Sequence, residues 1–371
     1  MKAFFLIVFF VLLAVNTYIF IRGWQAIPSI LAYKLVYTII FIPVSLLFLV
    51  AMLGRDVLPL GFLKVIFSIG TIWLACMIYF FLFFLLTDTV ALINHWVHFL
   101  PENITTHFRQ IQVFGVSLVI VIMLIIGNYK FRNPVVNTYD IEINKKAGDR
   151  KALRMIGISD IHLGLMIDKN RFSQYVDKIN ALNPDIILIA GDVVDNSIRP
   201  LIEWKMEEEI NRLEAPLGIY MCLGNHEYIS GIDACLDFFK RTKINVLIDS
   251  VAHVDNSFWL IGRNDRFGTR RPLEDLVAKT TQSELIFLLD HQPYHLDDAE
   301  KNGVDFQFSG HTHNGQLWPG NYIVKKMYEV GHGYKQKGNL HVYVSSGLAL
   351  WGPPFRIGTE SEIAVFDVKI Y

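Results

Sequence analysis

A chain of 371 residues with 52% hydrophobic and 19% charged side chains and a mean hydropathy of +0.35 is too apolar for one soluble domain, so part of it belongs in lipid. A formal net charge of −1 supplies no basic field, and nucleic acid is not expected as a partner. The three cysteines, Cys76, Cys222 and Cys235, have no metal-site spacing and make no disulfide framework; free thiols fit a reducing compartment.

Up to Lys130 charged residues are few and sit mostly at the ends of apolar runs. Four runs, residues 3–21, 35–53, 65–86 and 111–126, approach or reach the roughly 20 helical residues that cross a hydrocarbon core. No small-residue cleavage site follows the first, and three spans come after it, so it reads as a retained helix and not a signal peptide. Polar residues in the runs are sparse (Asn16, Thr38, Ser45, Ser68, Ser117) and none is charged at mid-depth, which predicts an anchor. Lys2, Arg55, Lys64, Lys130, Arg132, Lys145 and Lys146 fall on one side, against Arg22, Lys34 and Arg109 on the other, so both termini and the domain after the spans should be cytoplasmic. Residues 91–100, with Trp96, Val97, Phe99 and Leu100 beside His95 and His98, read as an interfacial segment. The expected organisation is a four-span anchor over 1–130, a linker over 131–150 containing Pro134, and one soluble domain over 151–371.

In that domain short β-rich runs each lead into a polar cluster. Residues 153–158 precede Ser159-Asp160-Ile161-His162, and 185–189 precede Gly191-Asp192-Val193-Val194-Asp195. Residues 218–223 precede Gly224-Asn225-His226-Glu227, 285–289 precede Asp290-His291-Gln292-Pro293, and 305–308 precede Gly310-His311-Thr312-His313. Amphipathic helical stretches over 170–182 and 202–213 lie between some of them, giving an α/β architecture with its site at the carboxyl ends of the strands. The later runs 251–253, 258–261, 341–344 and 363–369 suggest a second, more antiparallel sheet, hence a two-sheet sandwich.

The clusters collect carboxylate, amide and imidazole groups without thiolate, a donor set for Mn²⁺, Fe, Zn²⁺ or Mg²⁺ in place of a closed structural zinc. Two cations about 3.5–4 Å apart need a shared anionic ligand, which one Asp at a strand end can supply, and such a pair clamps a phosphate and makes a hydroxide nucleophile near neutral pH. Gly191, Gly224 and Gly310 allow the tight turns this needs.

The order Asp-x-His, Gly-Asp-x-x-Asp, Gly-Asn-His-Glu, His, Gly-His-x-His resembles that of the calcineurin-like metallophosphoesterases over residues 153–369, and the tail 345–356 (SSGLALWGPPFR) looks like their membrane-associated YkuE/YaeI-like branch. The resemblance implies an αββα sandwich and two divalent metal ions (Mn, Fe or Zn). Asp160, His162 and His313 would hold the first, Asp192 would bridge, and Asn225, His291 and His311 would complete the second. His226 would be the general acid or phosphate-orienting residue, with Glu227 fixing its tautomer. Glu227 stands where many members have Asp, Asn314 where Gly is common, and Tyr294 follows His291-Gln292-Pro293; none of these removes a ligand. The implied function is a membrane-anchored phosphoesterase acting on a phosphodiester or pyrophosphate, with a lipid-linked or nucleotide-activated lipid substrate favoured. The alternatives are a non-catalytic binding or regulatory membrane protein with a degenerate domain, and a transporter regulated by the domain; the complete ligand set opposes the first.

Other polar residues have plainer readings. Asp195 reads as an orienting or loop-capping group, and His253, His295, His332 and His341 as structural. Asn264 and Asp265 close a turn or reach substrate. Arg263, Arg266, Arg270 and Arg271 read as a solvated loop, though such forks also suit anionic head groups. Residues 317–319 and 348–355 either flank the site or pack on the sheet.

Overall fold

The computed structural model describes residues 2–371, without the side chains of residues 2–5 and Val8, so the Lys2 side chain invoked for orientation lies outside the described residues. The chain divides into two compact units, Met1–Gly127 and Asn128–Tyr371.

The first unit is helical: α1 (Lys2–Ala26), α2 (Leu31–Leu53), α3 (Leu60–Val97), α4 (Glu102–Thr106) and α5 (Phe108–Arg132), the last running into the second unit. Four of these, α1, α2, α3 and α5, are long and apolar enough to cross a membrane. Runs of Leu, Ile, Phe and Val form helices there because a helix satisfies every backbone N–H and C=O within its own segment. The third helix departs from expectation. Its 38 residues span about 57 Å, nearly twice a hydrocarbon core. Helix therefore continues through residues 91–97, where an interfacial segment was expected, and stops at His98 in a left-handed conformation. The extension takes in Asp88, which no predicted span contained. Its carboxylate accepts from Tyr18 Oη at 2.6 Å, Arg22 Nε at 2.7 Å and Gln112 Nε2 at 2.9 Å, and pairs with Arg109, so one acid pins α1, α3 and α5 together. Two guanidinium partners offset the cost of holding a carboxylate among these apolar helices.

The second unit contains β1 (Val135–Ile143), β2 (Ala152–Ile158), β3 (Ile186–Ala190), β4 (Ile219–Cys222), β5 (Ile244–Leu247), β6 (Ser250–Val254), β7 (Phe258–Gly262), β8 (Ile286–Leu289), β9 (Phe306–Ser309), β10 (Gly333–Lys337), β11 (Leu340–Val344) and β12 (Glu362–Ile370). They form two six-stranded sheets, ordered β1-β12-β2-β3-β4-β5 and β10-β11-β9-β8-β7-β6. The sheets share one apolar layer, in which Met155, Leu188 and Phe366 pack with Leu260, Phe287 and Phe306. Alternate side chains of the same strands, such as Ile156, Ile187 and Val365, point outward into a layer with Phe172, Val176 and Phe238 of the covering helices. The second sheet is covered likewise by Leu273, Leu276 and Leu296. Burial on both faces explains why these strands read as near-continuous apolar runs, and the result is the αββα sandwich.

Four expectations need correction. The predicted linker 131–150 contains β1, which pairs in parallel with β12 from Val135↔Glu362 to Ile143↔Ile370. Its inward positions include Asn137 and Tyr139 before Ile141 and Ile143, so its alternation is masked by polar composition. The run 363–369 belongs to the first sheet, antiparallel to β2. The second sheet is antiparallel only at its ends, β6–β7 and β10–β11, while its interior pairings are parallel. The helical stretch 202–213 is broken into Arg199–Glu203 and Glu207–Ile210, with Lys205 left-handed between them (φ 50°). The helix Lys169–Asn180 is present, capped by Asp168, whose side chain accepts from Arg171 N at 2.9 Å.

Candidate metal centre

All five polar clusters leave the carboxyl ends of β2, β3, β4, β8 and β9 and converge. The backbone is bent sharply to achieve this. Asp160, His162, Asp192, His311 and His313 are all left-handed, with φ of 52°, 48°, 52°, 71° and 48°. Each such residue costs on the order of 1–3 kcal/mol, and strain of this kind concentrates at functional sites. The neighbouring glycines are required by contact. A Cβ on Gly224 would lie 2.1 Å from Asp192 Oδ1, and one on Gly310 would lie 2.4 Å from Asp160 Oδ2.

Three groups of ligand-type atoms result, in each of which all lie within 4.8 Å of one another: Asp160, His162 and His313; Asp192, His291 and His311; His162, Asp195 and His226. In the first, His162 Nε2 faces His313 Nε2 at 3.2 Å, and Asp160 Oδ1 is 3.4 Å from His313 Nε2. In the second, His291 Nε2 lies 3.2 Å from Asp192 Oδ2, 3.2 Å from Asn225 Oδ1 and 3.3 Å from His311 Nδ1. Asp192 stands between them, its Oδ2 also 3.9 Å from His162 Nε2.

This packing suits a cation. His291 Nδ1 donates to the Ala190 carbonyl at 2.6 Å, so in the neutral ring Nε2 carries a lone pair, yet Nε2 faces two acceptor oxygens. A proton or a metal ion must stand there. Burial disfavours a charged His291, but the carboxylates of Asp192 and Asp160 outweigh it and raise its pKa well above the usual imidazole value. Burial and the neighbouring charged His291 push His311 down to about 3. Burial would raise Asp192, yet His291 beside it holds it well below the usual carboxylate range. His162 Nδ1 and His313 Nδ1 are buried without a hydrogen-bond partner. Among the described residues, oxygen and imidazole donors with no thiolate fit a hard or borderline divalent ion.

The placement of Glu227, unlike that of His226, differs from expectation. His226 Nδ1 donates to the Asp195 carbonyl at 2.7 Å, which sets its tautomer, and its backbone N–H donates to Asp192 Oδ1 at 2.8 Å. Glu227 is fully buried, and among the described residues no hydrogen bond joins its carboxylate to the His226 ring. Its oxygens accept from the backbone N–H groups of Asp192 (3.1 Å), Val193 (2.8 Å), Val194 (3.0 Å) and Gly224 (2.8 Å). It therefore clips the β3 loop to the β4 loop. Burial and the nearby Asp192 charge push its pKa up to about 7. Removing it strands four N–H donors, each costing about 1–3 kcal/mol if left unsatisfied. Glu227→Ala is expected to lose at least about 3 kcal/mol of stability in chemical denaturation, with Glu227→Gln intermediate; equal stability of all three proteins would contradict the clip.

Asp195 holds His226 through its carbonyl, and its Oδ1, without a hydrogen-bond partner, stands 3.5 Å from His162 Nδ1. Asn264 and Asp265 are held in the scaffold, Asn264 Oδ1 by Tyr228 Oη (2.7 Å) and Asp265 Oδ2 by Gln292 Nε2 (2.9 Å). The basic loop is only partly solvated: Arg263 is buried against Asp249 and Arg270 pairs with Asp290. Of the two readings of residues 348–355, Trp351 follows the one that flanks the site, whereas the neighbouring Arg356 has a role its sequence context did not suggest. Trp351 places its ring 6.4 Å from that of His226. Arg356, with no exposed surface, donates to the carbonyls of His313 (2.8 Å) and Ser346 (2.7 Å). The only signal for it was an arginine closing an apolar tail.

The calcineurin-like phosphoesterase family profile matches residues 153–315. An uncharacterized metallophosphoesterase of Campylobacter jejuni is 31% identical over 268 residues, 69% of this chain and 70% of that protein. One of Helicobacter pylori is 34% identical over 221 residues, 58% of this chain and 59% of that protein. A Danio rerio transmembrane protein with a metallophosphoesterase domain is 29% identical over 273 residues, 68% of this chain and 62% of that protein. The chain thus spans between 59% and 70% of the length of these relatives. With this fold and these helices, the chain belongs to the calcineurin-like metallophosphoesterases, metal-dependent phosphoric ester hydrolases, and associates with membranes.

Proposed function

We propose that the chain is a two-metal phosphoesterase held in a membrane by α1, α2, α3 and α5, hydrolysing a phosphodiester or pyrophosphate whose alcohol or nucleotide portion is lipid-linked. The observation that carries the reading is the position of Asp192, one oxygen of which faces both His/Asp groups. Asp160, His162 and His313 would hold one divalent ion, Asn225, His291 and His311 the other, and Asp192 both. When bound, the pair would neutralise phosphate charge and supply a hydroxide-like nucleophile near neutral pH. His291 is presented with Nε2 inward because Ala190 takes its Nδ1 proton. His226 is buried beside His162, and with Nδ1 held by Asp195 it can give a proton only through Nε2, to the departing oxygen. The lipid preference is supported by the membrane helices, and the bias of basic residues supports a cytoplasmic domain.

The test is hydrolysis of bis(p-nitrophenyl) phosphate by the purified full chain with added Mn²⁺, Zn²⁺ or Mg²⁺, and after chelation. Folded protein without turnover under any divalent ion would sink the reading and favour a binding protein. The leaving group isolates His226. Loss of a general acid costs about 10²–10⁴-fold where the departing alkoxide needs a proton, and far less for p-nitrophenolate. His226→Ala should show that split between alkyl and p-nitrophenyl esters; equal losses on both would assign His226 to phosphate orientation.

A further inference from the structure

The helix Gly320–Met327 packs on the His313–Gly315 turn. None of its residues is buried. Tyr322, Ile323 and Met327 are 60%, 59% and 60% exposed. Their spacing sets them on one face with Lys326. A water-facing helix turns its apolar side inward, so a contiguous outward apolar face marks an interaction surface. Two further indoles on the adjoining loops, Trp318 and Trp351, are 38% and 42% exposed. Gln316 joins the two loops, its Nε2 donating to the Trp351 carbonyl at 2.8 Å and its Oε1 accepting from Trp351 N at 3.2 Å. Since Trp351 lies against His226, this face borders the metal centre.

We propose that Gly320–Met327, with Trp318 and Trp351, docks on a bilayer surface carrying anionic head groups. Trp and Tyr prefer the head-group level, Ile and Met reach just beneath it, and lysines on the same helix complement anionic lipid. Lys325 and Lys326 are exposed and neither has an ion-pair partner among the described residues. A protein interface is a poorer match, because lysine is depleted from the centres of such interfaces. A bilayer is within reach in any case, since α5 is long and apolar enough to cross one and ends at Arg132. Docking would present a lipid-borne phosphate to the centre without extracting it into water. The proposal concerns where this face sits and stands whether or not the centre hydrolyses esters.

The test places a nitroxide at Ile323→Cys in the full chain with Cys76→Ser, Cys222 and Cys235 being buried. The protein is reconstituted in nanodiscs of phosphatidylcholine alone or mixed equally with phosphatidylglycerol. A label at Lys240→Cys, whose side chain is 75% exposed, serves as the aqueous reference. In phosphatidylglycerol the Ile323 label should be relaxed by oxygen more than by a nickel chelate, the reverse of the reference. K325Q and K326Q should each lower the docked-to-free ratio about fivefold. A label at Ile323→Cys as nickel-accessible as the reference, or shielded from both reagents by protein, overturns the proposal. A lipid-like profile indifferent to phosphatidylglycerol and to both lysines overturns its anionic part.

Discussion

Asp192→Asn should leave a folded protein that has lost both metal ions together. The substitution keeps Oδ1 as acceptor for the His226 N–H (2.8 Å), so the loop geometry has reason to survive. What disappears is the negative charge on the one oxygen that faces His291 at 3.2 Å and His162 at 3.9 Å. Two divalent ions about 3.5–4 Å apart repel strongly without a shared anion. Metal content by mass spectrometry after gel filtration should fall for both equivalents, and turnover of a phosphodiester by about 10³-fold or more. If one equivalent is lost and the other kept with native affinity, Asp192 belongs to a single site and the bridging role is wrong. An unchanged melting curve is the control that separates lost charge from lost fold.

Much of this centre was legible because its chemistry demands specific residue types at fixed positions after strands. Asp160, Asp192, Asn225, His291 and His311 each follow a short apolar run, and the structure brings those runs together at one end of two sheets. The fold class was legible for a related reason: strands buried on both faces are written in Ile, Leu, Val and Phe. What was not legible lies where composition hides geometry. The strand β1 alternates Val135, Asn137, Tyr139 and Ile141 on one side, polar enough to pass for linker. The third membrane helix passes its expected end at Leu86 because Asp88 finds two arginines on other helices, pairings that no local pattern announces. The carboxylate of Glu227 was assigned to the nearest histidine in sequence. Its partners are four backbone N–H groups, three of them on another loop, and spacing along a chain cannot report that.

Arg356 is the clearest instance of a residue whose importance is only spatial. Its guanidinium has no solvent contact, and burial lowers its pKa to about 10, which still leaves it charged at neutral pH. Among the described residues it has no ion-pair partner. Instead Nη1 donates to His313 O at 2.8 Å, and Nη2 donates to Ser346 O at 2.7 Å, to Gly347 O at 3.3 Å and to Ala349 O. One cation thereby ties the loop after β11 to the turn that presents His313. Gly347 in that loop is left-handed (φ 93°), and a Cβ there would sit 3.0 Å from the Asp160 Cβ, so the loop is seated against a second residue of the same metal group. Arg356→Met preserves length and apolar bulk but strips the donors from those carbonyls. Breaking a buried charged network typically costs about 3–5 kcal/mol, which for a domain of this size lowers Tm by roughly 10 °C. The metal group of Asp160, His162 and His313 should weaken while that of Asp192, His291 and His311 holds, because only the first is propped by Arg356. Titration with Zn²⁺ against a competing chelator would show one site shifted and one retained. Arg356→Lys, which keeps a charge but loses the planar fork, should fall between. Two unshifted sites in a Met variant that is merely less stable would reduce Arg356 to a packing residue and leave His313 to be positioned by its own strained turn.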